Sequence, residues 1–403
     1  MDEGPRERRR AAHSRGLTFT VSLPNEPRRA IRRLYVPFMQ LSRILSCAAV
    51  TVALPLTALA APAAASPTGS LDWSGSFGSS APQPVSTFDV QAHRGGLGLY
   101  TESSLAAFAN ALEMGVSTLE LDTQITEDGI AVVTHDRKIS NKKCLDTEPA
   151  TAGDPEFPYV GKFVNTLSLQ QIKTMDCGTL PLAGYPEQQN VPGAKMQTLE
   201  EVLALVKSYN APGIKLNIET KVEAGAPHET APREQFVSVV LDTIRAAGLL
   251  DSVTIQSFDW GSLMLTRQLA PSVPVVALTN GDFLQVGKDG ASPWLGGLDI
   301  DDFGGDGIAA VATFGASAYS PVQGTPQGGK VGDPGFTLYP TADMIASAHA
   351  RGMKVIPWTV DDPATMHALI DLGVDGIITD YPDRLRAVLA ERGMPLPAPA
   401  VKK

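Results

Sequence analysis

Cysteine is scarce in this 403-residue chain, which contains only three. This number excludes a small disulfide-dense scaffold and a set of cysteine-ligated zinc sites. Cys47 lies in an N-terminal segment that we expect to be removed, so Cys144 and Cys177 remain as a pair. In an exported protein such a pair most often forms a disulfide, and two free buried thiols are the alternative. We predict a Cys144–Cys177 disulfide that closes an insertion over residues 136–197, and no catalytic cysteine.

Basic residues are also outnumbered, with 33 lysines and arginines against 43 acidic residues and a net charge of −10. Ten of the basic and four of the acidic residues precede Ser66, so a chain that begins at Ser66 has a net charge of −16. Phosphate backbones and anionic lipid headgroups repel such a body. We therefore exclude nucleic acid as a partner, and any phosphate site must be positive locally.

Long apolar runs are missing except for residues 44–60, which follow Arg43 and precede a series of small residues. This order is typical of a secretory signal peptide. The run contains Pro55 and is short for a membrane span, so an uncleaved anchor is the weaker alternative. We expect residues 1–65 to be a leader and signal peptide, with Met39 as an alternative start, and residues 66–88 to be a linker. The mature protein would be secreted, without a stable membrane anchor.

Most of the candidate catalytic and metal-binding residues lie between Gln91 and Asp136. His93 ends a short apolar run, and the Arg94-Gly-Gly stretch after it permits a tight turn. In the next apolar run, over residues 118–122, Glu120 and Asp122 share one face, roughly 6–7 Å apart along a strand. Two carboxylates on a mostly buried strand are costly unless a cation lies between them, and oxygen ligands suit a hard divalent ion.

A second apolar run follows within a few residues. Residues 126–129 (Thr-Glu-Asp-Gly) indicate a tight turn before residues 130–134. So short a connection cannot make a parallel crossover, so the two runs should pair antiparallel. We expect this hairpin to place His135 opposite Glu120, beside the acidic pair.

Apolar runs then alternate with helical patterns along the rest of the chain, without an internal repeat or a second domain. The expected strands cover residues 89–92, 118–121, 214–218, 253–255, 275–278, 317–319, 354–357 and 376–378. The expected helices cover residues 104–114, 167–175, 198–208, 234–247, 260–269, 342–350, 363–372 and 382–392. This order predicts an α/β fold, a (β/α)₈ TIM barrel over residues 89–395 with an extra hairpin and a loop insertion over its C-terminal face, followed by a tail over residues 396–403.

Polar residues occupy positions of one expected strand that are usually aliphatic. Along residues 214–221 the apolar side chains share one parity, whereas Asn217, Glu219 and Lys221 share the other and point toward the barrel axis. Active sites of such barrels lie at the carboxyl ends of the strands. A surface ion pair is the alternative for any single acid, but the alternation favours Glu219 as a third metal ligand with Glu120 and Asp122.

Eight short motifs follow one another in a specific order. They are His93-Arg-Gly-Gly, Glu120-Leu-Asp, Thr126-Glu-Asp-Gly, His135-Asp, Asn217-Ile-Glu-Thr-Lys, Gln256-Ser-Phe-Asp, Trp358-Thr-Val and Asp375-Gly-Ile-Ile-Thr-Asp. This set resembles the glycerophosphodiester phosphodiesterases, of the secreted bacterial type, from about Asp89 to the end of the chain. We expect Glu102 to support the site from behind the residues that contact substrate. The Thr101-Glu-Ser-Ser stretch departs from the Pro-Glu-Asn-Thr usual in that family, so the resemblance supports the metal ligands more strongly than it supports the start of this helix.

The resemblance implies hydrolysis of a small glycerophosphodiester to sn-glycerol 3-phosphate and an alcohol. Glu120, Asp122 and Glu219 would hold one divalent cation, with Ca²⁺ favoured over Mg²⁺ because three carboxylates and an extracellular setting suit it. Arg94 and Lys221 would bind the phosphate, and Arg94 would also be catalytic because it neutralises the negative charge that develops during the reaction, with Lys221 assisting. The resemblance makes Phe258 and Trp358 a wall against the glycerol or its substituent, with ordinary barrel packing as the alternative.

Two histidines, His93 and His135, occur at strand ends beside carboxylates, whereas His228, His349 and His367 are expected to be solvated. Phosphodiester hydrolysis needs one group to accept a proton from the nucleophile and one to donate a proton to the leaving alkoxide. We assign His93 as the base and His135 as the acid, and the reverse assignment stays open. The alternatives to this function are a phospholipase D-like enzyme acting on lysophospholipids or sphingolipids, and a non-catalytic barrel used for binding.

Overall fold

The protein was analysed as a computed structural model, which describes residues 88–403. The predicted leader, signal peptide and all but the last residue of the predicted linker lie outside the described residues. Within residues 88–403, none of the helices combines the length and the apolar character that a membrane crossing requires.

The described residues form fourteen strands and nine α-helices. In chain order the strands are β1 (Asp89–Ala92), β2 (Thr118–Ile125), β3 (Ala131–Val133), β4 (Gln197–Thr198), β5 (Tyr209–Asn210), β6 (Lys215–Thr220), β7 (Val253–Ser257), β8 (Val275–Thr279), β9 (Ala318–Pro321), β10 (Gly324–Thr325), β11 (Thr337–Leu338), β12 (Lys354–Val355), β13 (Gly376–Thr379) and β14 (Val401–Lys402). The helices are α1 (Leu105–Met114), α2 (Leu169–Ile172), α3 (Leu199–Lys207), α4 (Arg233–Ala247), α5 (Trp260–Leu269), α6 (Gly307–Ala312), α7 (Ala342–Ala350), α8 (Pro363–Leu372) and α9 (Pro382–Glu391).

Eight strands form one parallel sheet in the order β12-β9-β8-β7-β6-β2-β1-β13, and each corresponds to one of the strands predicted from the sequence. Three backbone hydrogen bonds join the two ends of this order: Asp375 N to Val355 O (2.9 Å), Ile378 N to Pro357 O (3.0 Å) and Val360 N to Ile378 O (3.0 Å). The fold is therefore TIM-barrel-like, and the carboxyl ends of its strands lie at one face.

Local signals set several of the helix boundaries. Ser104 begins α1 by accepting a hydrogen bond from Ala107 N at 3.1 Å, and Gly115 ends it with φ 93°, a conformation that favours glycine. The predicted capping box at Thr198 and Glu201 is present at the start of α3. Helices α5, α7 and α8 have the predicted bounds.

One predicted helix is wrong. Instead of a single helix over residues 167–175, the chain forms a 3₁₀ turn at Val164–Thr166 and the single-turn helix α2. The backbone of Asp176 exchanges two hydrogen bonds with the backbone of Leu145, at 2.7 and 3.0 Å. This tertiary pairing extends the chain directly after α2, which a helical pattern in the sequence does not anticipate.

The hairpin is antiparallel, but its register differs from the prediction. Strands β2 and β3 pair Thr123 with Val133 and Ile125 with Ala131, and Thr134 N donates to Asp122 O at 3.0 Å. In this register position 136 rather than 135 would lie opposite Glu120, and β3 ends before His135. The expected placement of His135 directly opposite Glu120 is wrong because the turn fixes the register of a hairpin.

The segment after the hairpin has its own apolar cluster, separate from the barrel core. Its buried members include Val132, Ile139, Tyr159, Val164, Leu167, Ile172 and Met175. The Cys144–Cys177 disulfide is present and lies in this cluster. At the other end of the chain, β14 pairs antiparallel with β5, so residues assigned to the tail contact the domain.

Candidate active site

Three carboxylates meet at the carboxyl ends of two adjacent strands. Asp122 on β2 pairs in register with Glu219 on β6, and Glu120 lies two residues earlier on the same face of β2. One oxygen of each carboxylate lies within 4.8 Å of the others. Glu120 is 2% exposed, Asp122 is 1% exposed and Glu219 is 5% exposed. Strand alternation thus directs them to one buried point.

The hydrogen bonds of this cluster leave acceptors for a cation. Glu120 accepts from Arg94 N at 2.9 Å and from Gln256 Nε2 at 2.6 Å. Asp122 Oδ2 lies 3.1 Å from Arg94 Nε without hydrogen-bond geometry, so among the described residues it is a buried acceptor without a donor. A buried group of oxygen ligands with an unpaired acceptor fits a hard divalent ion.

The electrostatics of the cluster point the same way. Burial, together with repulsion from Asp122, raises the pKa of Glu120. Burial also raises the pKa of Glu219, against the attraction of Lys221. For Asp122 burial opposes ionisation, but the charges of Lys221 and Arg94 outweigh it and hold the pKa of this carboxyl well below its usual range. A bound cation would relieve the cost that raises the first two pKa values.

The turn after β1 positions Arg94 against this cluster. Arg94 has φ 51° and Gly95 has φ 86°, and a Cβ on Gly95 would meet Ala107 Cβ at 2.8 Å. Glycine is therefore required for the turn to pack against α1. Arg94 Nη1 donates to Glu102 Oε2 at 3.1 Å, so Glu102 contacts the predicted phosphate-binding residue directly.

His93 is held by a carboxylate from the far end of the chain. Its Nδ1 lies 2.5 Å from Asp380 Oδ1, and Tyr185 Oη donates to Asp380 Oδ2 at 2.9 Å. Burial and the charge of Arg94 oppose protonation of His93, but the carboxylates of Asp380 and Glu120 outweigh them and raise the pKa of His93. The ring is thus stabilised in its protonated form.

His135 has a different environment. Its Nδ1 lies 2.8 Å from Asp136 Oδ1, and 36% of its side chain is exposed, compared with 13% for His93. Burial, with the charges of Lys221 and Arg94, lowers the pKa of His135 to about 4. This environment therefore favours the uncharged form of the ring.

One lysine connects the two sides of the site. Lys143 Nζ lies 2.7 Å from Glu102 Oε1 and 2.9 Å from Asp136 Oδ2. Glu102 holds Arg94, and Asp136 holds His135. Because Lys143 directly precedes Cys144, the disulfide anchors this connection.

The structure brings together all nine residues predicted for catalysis, substrate binding and metal binding, although His135 is not directly opposite Glu120, and the two cysteines of the predicted disulfide lie in the apolar cluster of the insertion. The first group lines a cavity of about 370 Å³, formed in part by His93, Arg94, Glu120, Asp122, His135, Glu219, Lys221, Phe258 and Trp358. Lys221 Nζ lies 3.0 Å from Glu219 Oε1 and 5.9 Å from the centre of the Phe258 ring. The roles of these residues stay predictions.

Sequence reasoning assigned no role to several residues of this site. Gln256 and Asp380 lie within quoted motifs and at strand ends, so their position was a usable signal. Tyr185 and Lys143 belong to the insertion, where no periodicity marks an inward-facing residue. Their contribution follows from tertiary contacts alone.

Comparisons with known proteins agree with this geometry. A glycerophosphodiester phosphodiesterase from Caldanaerobacter subterraneus subsp. tengcongensis is 28% identical over 304 residues, which cover 75% of this chain and 98% of the relative. One from Bacillus subtilis (strain 168) is 27% identical over 302 residues, covering 74% of this chain and 85% of the relative.

Solved structures share the fold. A crystal structure from Silicibacter pomeroyi, assigned to the glycerophosphoryl diester phosphodiesterases, has 28% identity and a TM-score of 0.63 and covers 77% of this chain and 96% of its own. An Oleispira antarctica phosphodiesterase, determined in complex with the product sn-glycerol-3-phosphate, has 19% identity and a TM-score of 0.53, covering 75% and 97%. The model of the glycerophosphoryl diester phosphodiesterase family matches residues 93–384, from the first histidine of the cavity to α9. The chain therefore belongs to the glycerophosphoryl diester phosphodiesterase family.

Proposed function

We propose that this protein hydrolyses small glycerophosphodiesters to sn-glycerol 3-phosphate and an alcohol. The observation that carries the proposal is the convergence of three buried carboxylates, Arg94 and two histidines on one cavity of about 370 Å³. In the net reaction water supplies a hydroxyl to phosphorus and a proton to the departing alcohol oxygen. The product bound by the Oleispira antarctica protein is the product proposed for this chain.

Glu120, Asp122 and Glu219 would hold one divalent cation, and we favour Ca²⁺ over Mg²⁺ because three carboxylates and an extracellular setting suit it. Such a cation, when bound, supplies positive charge against the phosphoryl oxygens. Arg94 would orient the phosphate with its guanidinium, which the Glu102 and Asp122 carboxylates hold in place. Lys221, whose Nζ lies 3.7 Å from Asp122 Oδ1, would add a second positive charge.

The environments of the two histidines favour the reverse of the assignment made from the sequence. An acid must be protonated before it acts, and Asp380 favours the protonated form of His93. A base must be uncharged, and the pKa of His135 is lowered to about 4. We therefore propose His93 as the acid toward the leaving alkoxide and His135 as the base toward the nucleophile.

The test is an assay of purified protein on glycerophosphocholine and on lysophosphatidylcholine, with and without a chelator. We expect release of sn-glycerol 3-phosphate from glycerophosphocholine, loss of that release with the chelator, and better recovery with Ca²⁺ than with Mg²⁺. Preferential cleavage of lysophosphatidylcholine would favour the phospholipase D-like alternative. Binding of glycerophosphocholine without turnover would favour the non-catalytic barrel.

We also propose export, with residues 1–65 as leader and signal peptide and residues 89–395 as a closed (β/α)₈ barrel domain. The Cys144–Cys177 disulfide supports export, because structural disulfides persist in oxidising compartments. Mass spectrometry of the protein from culture medium would test this. A chain found only inside cells with its first residues intact would contradict it.

A further inference from the structure

The active-site cavity continues into a larger one of about 800 Å³. The two cavities share His135, Glu219, Lys221, Phe258, Gln327 and Trp358. Sites for small ligands commonly measure about 300–1,000 Å³, so the second cavity alone is large enough for an organic group. A substrate whose phosphate lies at Arg94 can therefore extend past Phe258 and Trp358 into this outer cavity.

One wall of the outer cavity is a continuous series of aromatic rings. Trp358 and Phe258 make an edge contact at 5.4 Å, and Phe258 and Phe283 make another at 5.4 Å. Phe283 then stacks on Trp294 at 4.1 Å with planes 2° apart. Phe283 and Trp294 come from the loop after β8, and they line the outer cavity but not the active-site cavity. All four rings are only partly buried, so each offers surface to a ligand.

A second wall of the outer cavity is mainly polar and comes from the insertion. It consists mainly of residues 135–141, among them Ser140 and Asn141, with Glu223 beside them. Most of its charges are compensated, because Arg137 Nη1 lies 2.7 Å from Glu223 Oε2 and Lys143 neutralises Asp136 at 2.9 Å, whereas Lys138 lies over the Phe163 ring. The wall therefore offers hydrogen bonds and no excess of negative charge.

The two walls together indicate the chemistry of the occupant. A quaternary ammonium group is bound best by aromatic faces that enclose it, whereas here the rings form a single series and the cationic side chains of Arg137, Lys138 and Lys221 also line the cavity. An acyl chain prefers apolar contact on all sides, and the insertion wall would leave its polar groups without partners. A ring-shaped polyol has apolar C–H faces and a rim of hydroxyls, which match an aromatic wall and a polar wall.

We propose that the outer cavity is the leaving-group site and that it takes a ring-shaped, polyhydroxylated alcohol, a sugar or a cyclitol. One C–H face of the ring packs on Phe283 and Trp294, and the hydroxyls point to Ser140, Asn141 and Glu223. This inference rests on the proposed function, since it concerns the alcohol that the hydrolysis releases.

The test measures kcat/KM for four substrates: glycerophospho-myo-inositol, glycerophosphoglucose, glycerophosphoglycerol as an acyclic polyol, and glycerophosphocholine. We expect both ring substrates to exceed glycerophosphoglycerol and glycerophosphocholine. Trp294→Ala should lower the ratio of ring to acyclic kcat/KM by about tenfold, since aromatic contacts have about this effect. Trp294→Phe should restore part of the ratio, and Asn141→Ala, at an exposed position, should lower it by about threefold through one lost hydrogen bond.

Val286→Ala is the matched control, because Val286 lies in the same loop, is 56% exposed and lines neither cavity. A preference for glycerophosphocholine, or a ratio that responds equally to Val286→Ala and Trp294→Ala, would overturn the inference while leaving the proposed function intact. Failure of the wild-type protein to hydrolyse any of the four would instead overturn the proposed function. Failure of Trp294→Ala to fold would leave the decision to Asn141→Ala and Trp294→Phe.

Discussion

The two halves of the active site are built in different ways. The acidic half, with Glu120, Asp122 and Glu219, lies on adjacent strands of the central sheet and is almost fully buried. The half that contains His135 lies beyond the end of β3, in a segment with its own apolar cluster and a disulfide. Ligand geometry therefore depends on the sheet, whereas placement of the second histidine depends on polar contacts such as those of Lys143.

Because one half of the site lies on strands and the other on a loop segment, we expect the two halves to respond differently to substitution. Groups on a rigid strand keep their positions when a neighbour changes, so their chemistry fails only when they themselves are changed. Groups on a loop depend on each supporting contact. We expect effects in the acidic half to be larger and effects in the insertion half to spread over more residues.

The largest effect is expected in the acidic half. Glu219→Gln removes one carboxylate of the cluster, so hydrolysis should fall by at least about 10³-fold and Ca²⁺ affinity should fall with it. Glycerol 3-phosphate release and calorimetric titration with Ca²⁺ are the measurements. Glu200→Gln, an exposed change of the same type on α3, is the control. An active Glu219→Gln variant with unchanged metal response would remove this cluster from the mechanism.

The two histidines compare the halves directly. His93→Ala and His135→Ala should each lower kcat by about 10²–10⁴-fold while thermal unfolding stays cooperative. The measurements are steady-state kinetics and calorimetry. Turnover retained in either variant would show that its histidine takes no part in proton transfer.

The pH profile can separate their roles. An uncharged base with a pKa of about 4 gives an acidic limb near that pH, since protonation of His135 removes activity. An acid is lost as pH rises through its pKa, and the pKa of His93 is raised, so the alkaline limb should lie above about 6.5. Asp380→Asn removes the stabilising carboxylate and should move this limb to lower pH. Asp371→Asn, an exposed change on α8, should leave it in place. If Asp380→Asn moved the acidic limb instead of the alkaline limb, the assignment of His93 as the base would be restored.

A smaller effect is expected for the lysine that connects the halves. Lys143→Met leaves Glu102 and Asp136 without their shared cation, so Arg94 and His135 lose support and kcat/KM should fall by about tenfold. The neighbouring exposed Lys142→Met is a matched control of equal charge change. Equal kcat/KM values for the two variants would show that the contacts of Lys143 with Glu102 and Asp136 do not contribute to catalysis.

The smallest effect on catalysis is expected from the disulfide. Cys144→Ser with Cys177→Ser should destabilise the insertion by about 2–4 kcal/mol and lower activity by about threefold, because Lys143 and Tyr185 become less ordered. Hydrogen exchange should increase in residues 136–197 and remain unchanged in β2 and β6. Uniformly increased exchange would show that the insertion and the barrel unfold as one unit.

The sequence by itself determined the repeating strand and helix order and the inward-facing carboxylates, because these follow from side-chain periodicity within one element. It also selected His93, Arg94 and Lys221, since each lies at a strand end. Only the tertiary structure decided the register of the hairpin, the short helix α2 and the contacts of Asp380 and Tyr185 with His93. The last two features depend on residues distant along the chain, and local periodicity carries no information about which distant residues meet. The register depends on the conformation of the turn at residues 126–129, which periodicity does not specify either.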